Sequence, residues 1–331
     1  MTAEPEVLVP GLAERSRPVL SAVGCVSRVA PSARPRLQKS LIRAGYQVLN
    51  RRLATVEALC LNYGYAPPAD SAWLPRSDVS LLPDRFGLQL YDRVAGGAPL
   101  KGRDVLEVGC GRGGGTAYVS RVFGTRAMTG IDFSAQAVAC CRRRHHQTGL
   151  SFRKGDAEAL PFSGPAFDAV LNVESSHCYP SVERFLDETI RVLRPGGVLL
   201  MADLRPANQV DELRGQLASR FDVEDEEDIT ADVVRALLLD APRRERTVDR
   251  GVPRFLRPAV RDFCATPGSD VFSCLSSGAL RYLRFAVRAA GPSPRGVVGR
   301  RPFGCPQPDG ETSAQVRGEG SIPSSAASRA R

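Results

Sequence analysis

Short apolar runs alternate with amphipathic stretches through the middle of the chain. The apolar runs predict five strands, near residues 104–109, 127–131, 150–154, 167–173 and 196–202. Stretches with helical periodicity separate most of them, near residues 114–123, 134–147 and 181–192. Because this spacing suits successive βαβ units, it predicts an α/β fold built on a Rossmann-like, doubly wound and mostly parallel sheet.

The segments on either side of this alternation follow other patterns. Residues 1–36 mix Pro, Ser, Arg and Ala with weak periodicity and predict a disordered arm, whereas residues 37–95 predict a helical N-terminal cap. The α/β domain is expected over residues 96–290, and its last element is an alternating edge strand at 280–287. Residues 291–331 are rich in Pro, Gly, Ser and Arg, so we expect a disordered tail.

Residues 207–263 break the regular alternation. An acidic block at 222–228 is followed by an apolar helical stretch at 233–239 and a basic block at 243–246. We interpret this segment as a helical insertion that lies over the ligand site, a lid.

Composition narrows the possible function classes. The 331 residues are 43% hydrophobic, enough for a buried core, and the net charge of +9 comes mainly from arginines spread along the chain. No basic run is interleaved with aromatic residues, so nucleic acid is not an expected partner. The nine cysteines lack metal-ligand spacing, which predicts no metal site and a reducing, cytoplasmic setting. No apolar run reaches the ~20 residues of a membrane span.

A glycine-rich turn ends the first predicted strand. Gly109, Gly111 and Gly113 leave a backbone without Cβ atoms, which a ligand can approach closely before the next helix. Glu107 precedes the turn, and Asp132 ends the second strand, where a carboxylate can accept hydrogen bonds from ribose hydroxyls. The pattern predicts a nucleoside pocket, which either a dinucleotide or S-adenosylmethionine would satisfy.

The segment after the third strand favours one of these two ligands. Asp156 can accept a hydrogen bond from an adenine amino group, and Ala157 offers a backbone N–H to the ring. S-adenosylmethionine carries an ammonium group in place of phosphates, so Glu107 beside the turn favours it. Two alternatives stay open: residues 155–162 can be an ordinary loop, and Asp132 can serve as a helix N-cap.

Five ordered motifs resemble those of class I S-adenosylmethionine-dependent methyltransferases. They lie at residues 106–113, 130–132, 155–162, 167–170 and 193–197. Residues 171–180 and 202–206 further resemble actinobacterial phthiotriolone/phenolphthiotriolone dimycocerosate O-methyltransferases and related polyketide O-methyltransferases. The resemblance extends from about residue 89 to 287 and implies S-adenosylmethionine as the cofactor, with Phe133 and Asn172 among its contacts.

His177 is the candidate catalytic residue. It follows the fourth strand, at the carboxyl edge where ligands bind in open α/β sheets. A histidine of near-neutral pKa can take the proton from a hydroxyl as the oxygen attacks the methyl group. Glu174 and Tyr179 are expected to shape the pocket or orient His177. The alternative is a histidine that merely packs in the loop, because positioning alone can supply much of methyl transfer.

The resemblance implies methyl transfer to a hydroxyl of a small hydrophobic acceptor, a lipid or polyketide-type natural product. Three other functions stay open. They are methyl transfer to carbon or nitrogen of a small molecule, a nicotinamide-dependent dehydrogenase, and a non-catalytic binding protein with the same fold.

Overall fold

The computed structural model describes residues 60–252, 254 and 257–290. The predicted arm, the part of the helical cap before residue 60 and the predicted tail lie outside the described residues. The cap helix that is described, α1 (Arg85–Ala95), leads into the sheet.

Seven strands form one twisted sheet in the order β3-β2-β1-β4-β5-β7-β6. The strands are β1 (Asp104–Val108), β2 (Ala127–Asp132), β3 (Leu150–Lys154), β4 (Phe167–Val173), β5 (Leu193–Pro206), β6 (Phe221–Asp228) and β7 (Leu280–Ala289). Strands β1 to β5 pair in parallel, and β7 is antiparallel to both β5 and β6. The predicted Rossmann-like, mostly parallel sheet is confirmed.

Helices connect the parallel strands much as the periodicity predicts. They are α2 (Gly114–Phe123), α3 (Ala135–Arg144) and α4 (Val182–Val192). Four more helices follow β5: α5 (Val210–Ala218), α6 (Thr230–Gly251), α7 (Arg257–Phe263) and α8 (Asp270–Ser276). No helix among the described residues is both long enough and apolar enough to cross a membrane.

Two sequence-based expectations about the C-terminal half were wrong. The acidic block, expected within a helical lid, forms strand β6 at the edge of the sheet, because arginines of β7 pair with its carboxylates. Arg284 contacts Asp225 and Glu227, and Arg288 contacts Glu224. Strand β7 is not the edge strand; it lies between β5 and β6 and is buried along most of its length.

Both faces of the sheet are buried, which fixes the positions of the strand ends. Along β5, Leu200 and Ala202 pack with α1 and α2 on one face, while Leu199 and Met201 pack with α4 and α5 on the other. A sheet covered by helices on both faces requires continuous apolar strands, and β5 is buried from residue 197 to 205. The carboxyl edge of the sheet is therefore a rigid platform for a site.

Helix α6 holds the first described segment, residues 60–66, against this platform. The guanidinium of Arg244 donates to the carbonyl oxygens of Asn62 and Tyr63 at 3.1 and 3.0 Å, and it pairs with Asp240. Because Arg244 is only 10% exposed, these hydrogen bonds are shielded from water. The segment consequently lies beside the carboxyl edge of the sheet.

Candidate functional site

The glycine turn takes the backbone conformation that its sequence requires. Gly109, Gly111 and Gly113 have φ angles of 81°, 52° and 77°, which residues with a Cβ rarely adopt. A Cβ on Gly109 would lie 2.5 Å from the hydroxyl oxygen of Ser175, and one on Gly113 would lie 2.9 Å from the ring of Phe152. The turn thus packs closely against β2, β3 and the loop after β4.

Asp132 ties the turn to the end of β2. Its Oδ2 accepts a hydrogen bond from the N–H of Gly111 at 2.9 Å, and its Oδ1 accepts one from the N–H of Ser134 at 2.8 Å. The N-cap of α3 is Ser134, whose hydroxyl accepts from Ala137, so Asp132 does not have that role. Burial raises the pKa of Asp132 to about 6, although both hydrogen bonds lower it.

Glu107 is fully buried beneath the turn. Its carboxylate accepts hydrogen bonds from the hydroxyls of Tyr91 at 2.7 Å and Thr116 at 2.5 Å. Gly115 makes room for this contact, because a Cβ there would overlap the ring of Tyr91 at 1.9 Å. Burial raises the pKa of Glu107 to about 7, against the effect of the two hydroxyls. The carboxylate is therefore held in one orientation next to the glycine turn.

Asn172, at the end of β4, carries an unpaired acceptor. Its side chain is fully buried, and Nδ2 donates to the carbonyl oxygen of Val108 at 2.9 Å and to Ser175 Oγ at 2.8 Å. Its Oδ1 has no hydrogen-bond partner among the described residues. A buried unpaired amide oxygen is costly in free energy, so this atom suits a ligand that supplies a donor.

The loop after β3 is closed by its own hydrogen bonds. Asp156 Oδ1 accepts from the N–H of Glu158 at 3.0 Å, and the Asp156 carbonyl oxygen accepts from Ala159 at 3.1 Å. Ala157 packs on an apolar cluster that includes Leu160. These hydrogen bonds fix the backbone of the loop at the end of β3.

These residues fit S-adenosylmethionine. Among the described residues, the space beyond Gly111 is open except for Leu61 at 3.9 Å from an added Cβ. Carboxylates at the ends of β1 and β2 suit an ammonium group and ribose hydroxyls, and the orphaned oxygen of Asn172 suits a donor from the same ligand. Phe133, half-buried after Asp132, borders the same edge.

His177 forms a hydrogen-bonded pair with Asp203. The ring Nδ1 lies 2.6 Å from Asp203 Oδ1, and the backbone N–H of His177 donates to Oδ2 at 2.9 Å. Asp203 is fully buried and also accepts from the hydroxyl of Ser176 at 2.5 Å, while Arg205 lies 3.4 Å away. An ionised Asp203 requires the proton on Nδ1, which leaves Nε2 as the nitrogen that can take up a proton.

The charges in this pair shift both pKa values. Burial alone would lower the pKa of His177, but the neighbouring Cys178 and the Asp203 carboxylate outweigh it and raise the pKa well above its usual value. Burial would raise the pKa of Asp203, yet His177 and Arg205 hold it well below its usual value. The pair therefore favours an imidazolium next to a carboxylate.

Comparison with known proteins identifies the family. The model of a methyltransferase domain matches residues 106–201. The chain is 38% identical to the phthiotriol/phenolphthiotriol dimycocerosates methyltransferase of Mycobacterium leprae, over 78% of this chain and 96% of that protein. It is 42% identical to the fatty-acid O-methyltransferase of Mycolicibacterium smegmatis, over 66% of this chain and 79% of that protein.

The chain belongs to this methyltransferase family. As a class I methyltransferase, it uses S-adenosylmethionine as its cofactor. A solved structure of geranyl diphosphate methyltransferase in complex with S-adenosylmethionine has the same fold. It aligns with a TM-score of 0.51 and 18% identity, over 69% of this chain and 98% of that one.

The structure of the methyltransferase brings together the residues predicted from its sequence and adds several that were missed. The glycine turn, Glu107, Asp132 and Asn172 lie along adjacent strand ends. Sequence reasoning did not assign a role to Asp203, although residues 202–206 had been singled out as a motif. That motif was the available signal, but its contact with His177 depends on the pairing of Val173 with Ala202 on adjacent parallel strands, which the sequence does not show. Tyr91, by contrast, reaches Glu107 from α1 and had no local signal.

Proposed function

We propose that the methyltransferase transfers a methyl group to a hydroxyl of an apolar lipid or polyketide-type natural product. The relative from Mycobacterium leprae is named for phthiotriol and phenolphthiotriol dimycocerosates, and the relative from Mycolicibacterium smegmatis for fatty-acid O-methylation. Both names indicate methylation of long apolar molecules. The single observation that carries the choice of a hydroxyl is the His177–Asp203 pair, because an alcohol needs a base that a carboxylic acid does not.

In this proposal His177 takes the proton of the acceptor hydroxyl at Nε2. Asp203 holds the ring through Nδ1 and stabilises the imidazolium that forms, as in other histidine–aspartate pairs. Because the pKa of His177 is raised above its usual value, forming the neutral base requires a higher pH than for an ordinary histidine. Asp203 is a positioning residue, since it acts through the imidazole.

The cofactor would be held by residues of four adjacent strand ends. S-adenosylmethionine supplies an electrophilic methyl group when bound. Asp132 would accept hydrogen bonds from the ribose hydroxyls, Glu107 would face the ammonium group, and Asn172 Oδ1 would accept a further hydrogen bond on that side. Asp156 and Ala157 would contact the adenine ring, with Phe133 beside it.

A carboxyl acceptor is the second candidate, because one relative is named a fatty-acid O-methyltransferase. A carboxylic acid is already ionised near neutral pH and needs no general base. Methylation of an alcohol therefore requires His177 as a base, whereas methylation of a carboxylate does not. A variant that lacks the imidazole distinguishes the two acceptors.

The test compares wild type with His177→Gln on a long-chain alcohol and a fatty acid of equal length. We expect the variant to lose about 100-fold or more in kcat with the alcohol, since general-base catalysis contributes about 10²–10⁴-fold. Equal kcat of wild type and variant on the alcohol would contradict the base assignment. Binding of S-adenosylhomocysteine, measured by calorimetry, serves as the control for correct folding.

We also propose a cytoplasmic location and an acceptor other than nucleic acid. The seven cysteines within the described residues are free thiols, which suits a reducing compartment. The acceptor proposal rests on the names of the relatives and on the lack of an aromatic-interleaved basic run.

A further inference from the structure

Glu174 adopts a backbone conformation that glutamate rarely takes. Its φ is 50°, and Ala265 is the one other residue besides glycine with a positive φ in the part of the chain that the structure describes. This conformation costs free energy for a side chain with a Cβ, and it persists where surrounding contacts hold it. Glu174 directly follows β4 and lies at the carboxyl edge near the point where the strand order reverses, where doubly wound sheets bind ligands.

One oxygen of the Glu174 carboxyl fixes the side chain between two distant parts of the chain. Oε2 accepts a hydrogen bond from the backbone N–H of Tyr63 at 2.8 Å and another from the hydroxyl of Tyr282 at 2.8 Å. Tyr282 is fully buried on β7, and the carbonyl of Tyr63 is held by Arg244. The carboxyl group cannot rotate without breaking these contacts.

The second carboxyl oxygen of Glu174, Oε1, differs from Oε2 in its hydrogen bonding. Oε1 makes no hydrogen bond among the described residues, and it is not one of their fully buried unpaired atoms. Burial raises the pKa of Glu174 to about 7, while its hydrogen bonds to Tyr63 and Tyr282 and the nearby His177 lower it. Glu174 directly follows β4 and lies three residues before His177 in the same loop, so this carboxyl and the proposed base share the carboxyl edge of the sheet. Oε1 is thus a fixed, accessible acceptor beside the reacting group.

We propose that Glu174 is a specificity-determining residue whose Oε1 accepts a hydrogen bond from a second hydroxyl of the acceptor, close to the hydroxyl that is methylated. This inference rests on the proposed function and names its substrate class more narrowly, as a long-chain diol or polyol. A carboxylate held through one oxygen forms a strong, directional hydrogen bond with the other. A mono-alcohol would leave Oε1 desolvated and unpaired, which costs more than the lost hydrogen bond alone.

The experiment uses the full chain and two acceptors of equal chain length, a long-chain 1,3-diol and the corresponding mono-alcohol, both in mixed detergent micelles. For wild type we expect kcat/KM to be about tenfold or more higher with the diol, mainly through KM, since hydrogen bonds to charged groups are the stronger ones. In Glu174→Gln the amide oxygen takes over the contacts of Oε2, so an NH₂ group replaces the acceptor. The preference for the diol over the mono-alcohol, measured as the ratio of their kcat/KM values, should then disappear.

Glu245→Gln is the matched control, because Glu245 is exposed on α6 and lies outside the site; this variant should keep the preference of wild type. Equal kcat/KM for both acceptors in wild type would overturn the inference and leave the proposed function intact. Because this comparison uses wild type alone, it does not require that Glu174→Gln folds. A preference for the diol that persists in a Glu174→Gln protein that binds S-adenosylhomocysteine would also overturn it. Methylation of neither acceptor by wild type that binds S-adenosylhomocysteine would instead contradict the proposed function.

Discussion

At the scale of single residues, the site depends on charged groups that are buried but paired. Asp203 has no exposed surface and is surrounded by His177, Ser176 and Arg205. A carboxylate in this setting stays ionised because its neighbours compensate for the lost hydration. Its effect on His177 is a raised pKa, and this has a measurable consequence for the pH dependence of the reaction.

Replacing Asp203→Asn removes the charge that stabilises the imidazolium, so the pKa of His177 should fall. In wild type, kcat/KM with an alcohol should rise with pH through a pKa above the usual value for histidine. In the variant, the rise of kcat/KM with pH should occur at lower pH. The maximal kcat/KM should fall by about 10–100-fold, because the imidazole ring is no longer held in place. A pH profile measures both effects.

Asp211→Asn is the control for the Asp203 variant, because Asp211 is almost fully exposed on α5. Its profile should match that of wild type. An Asp203→Asn profile with an unchanged pKa would refute the proposed link between the two residues, whatever the loss in rate.

The raised pKa of Asp132 leads us to expect that the affinity for the cofactor depends on pH. The ionised carboxylate accepts ribose hydrogen bonds, whereas its protonated form has lost part of that capacity. Because burial raises the pKa of Asp132 to about 6, the affinity for S-adenosylhomocysteine should fall as the pH drops below about 6, by up to about tenfold per unit. Calorimetry from pH 5 to 8 measures this, and an affinity that is constant over this range would be inconsistent with the assignment.

Local spacing predicted where the residues of the candidate cofactor site lie but not their supporting partners. Glu107 and Asp132 end adjacent parallel strands, and the periodicity of the sequence already placed both there. The contact between His177 and Asp203 depends on the pairing of β4 with β5, and the contact of Tyr91 with Glu107 depends on how α1 packs. Such long-range contacts have no periodic signal in a single sequence.

At the scale of secondary-structure elements, the turn between β1 and α2 sets the shape of the site. Gly113 combines a positive φ with close contacts to Phe152 and Cys141, whereas Gly102 has a positive φ of 71° and nothing within 4 Å of an added Cβ. Substitutions at these two positions therefore distinguish the cost of backbone strain from the cost of steric overlap.

Gly102→Ala should lower the free energy of unfolding by about 1–2 kcal/mol, the cost of a left-handed conformation. Gly113→Ala should lower it by a further ~1–3 kcal/mol, because the new methyl group overlaps the Phe152 ring at 2.9 Å. Urea unfolding of both variants gives the difference. Equal losses would mean that Phe152 and Cys141 move aside at no cost.

The parallel strands were predictable as elements because most of them contain a short apolar run, and each is followed by a turn or helix signal. Strands β6 and β7 were misjudged for a physical reason. The carboxylates of β6 carry no helical or strand period, and only the arginines of β7 across the pair explain why this segment is extended. Once β6 occupies the edge, β7 becomes an interior strand with a nearly continuous buried pattern.

At the scale of the whole molecule, residues 60–66 join the C-terminal helices to the site. Arg244 contacts the carbonyl oxygens of Asn62 and Tyr63 and that of Cys264. The Tyr63 N–H in turn contacts Glu174. Arg244, which is nearly buried, is therefore one of the residues that fix the mutual position of these segments.

Arg244→Ala should lower the free energy of unfolding by about 1–3 kcal/mol, since it leaves buried carbonyl oxygens without their donor and removes one of the two arginines that pair with Asp240. Arg246→Ala, two positions along α6, is the control, because Arg246 is exposed and its loss should change stability by less than about 0.5 kcal/mol. Urea unfolding of both variants measures these changes in the free energy of unfolding. Equal stability of the two variants would show that the Arg244 contacts do not hold the segment.

Methylation of an alcohol oxygen by this family member can be measured directly. The most direct measurement incubates the full chain with methyl-labelled S-adenosylmethionine and a long-chain diol, and locates the label in the product by mass spectrometry. We expect a methyl ether, formed by wild type at least about 100-fold faster than by His177→Gln. Label on carbon or nitrogen, or no labelled product from wild type that binds S-adenosylhomocysteine, would contradict it.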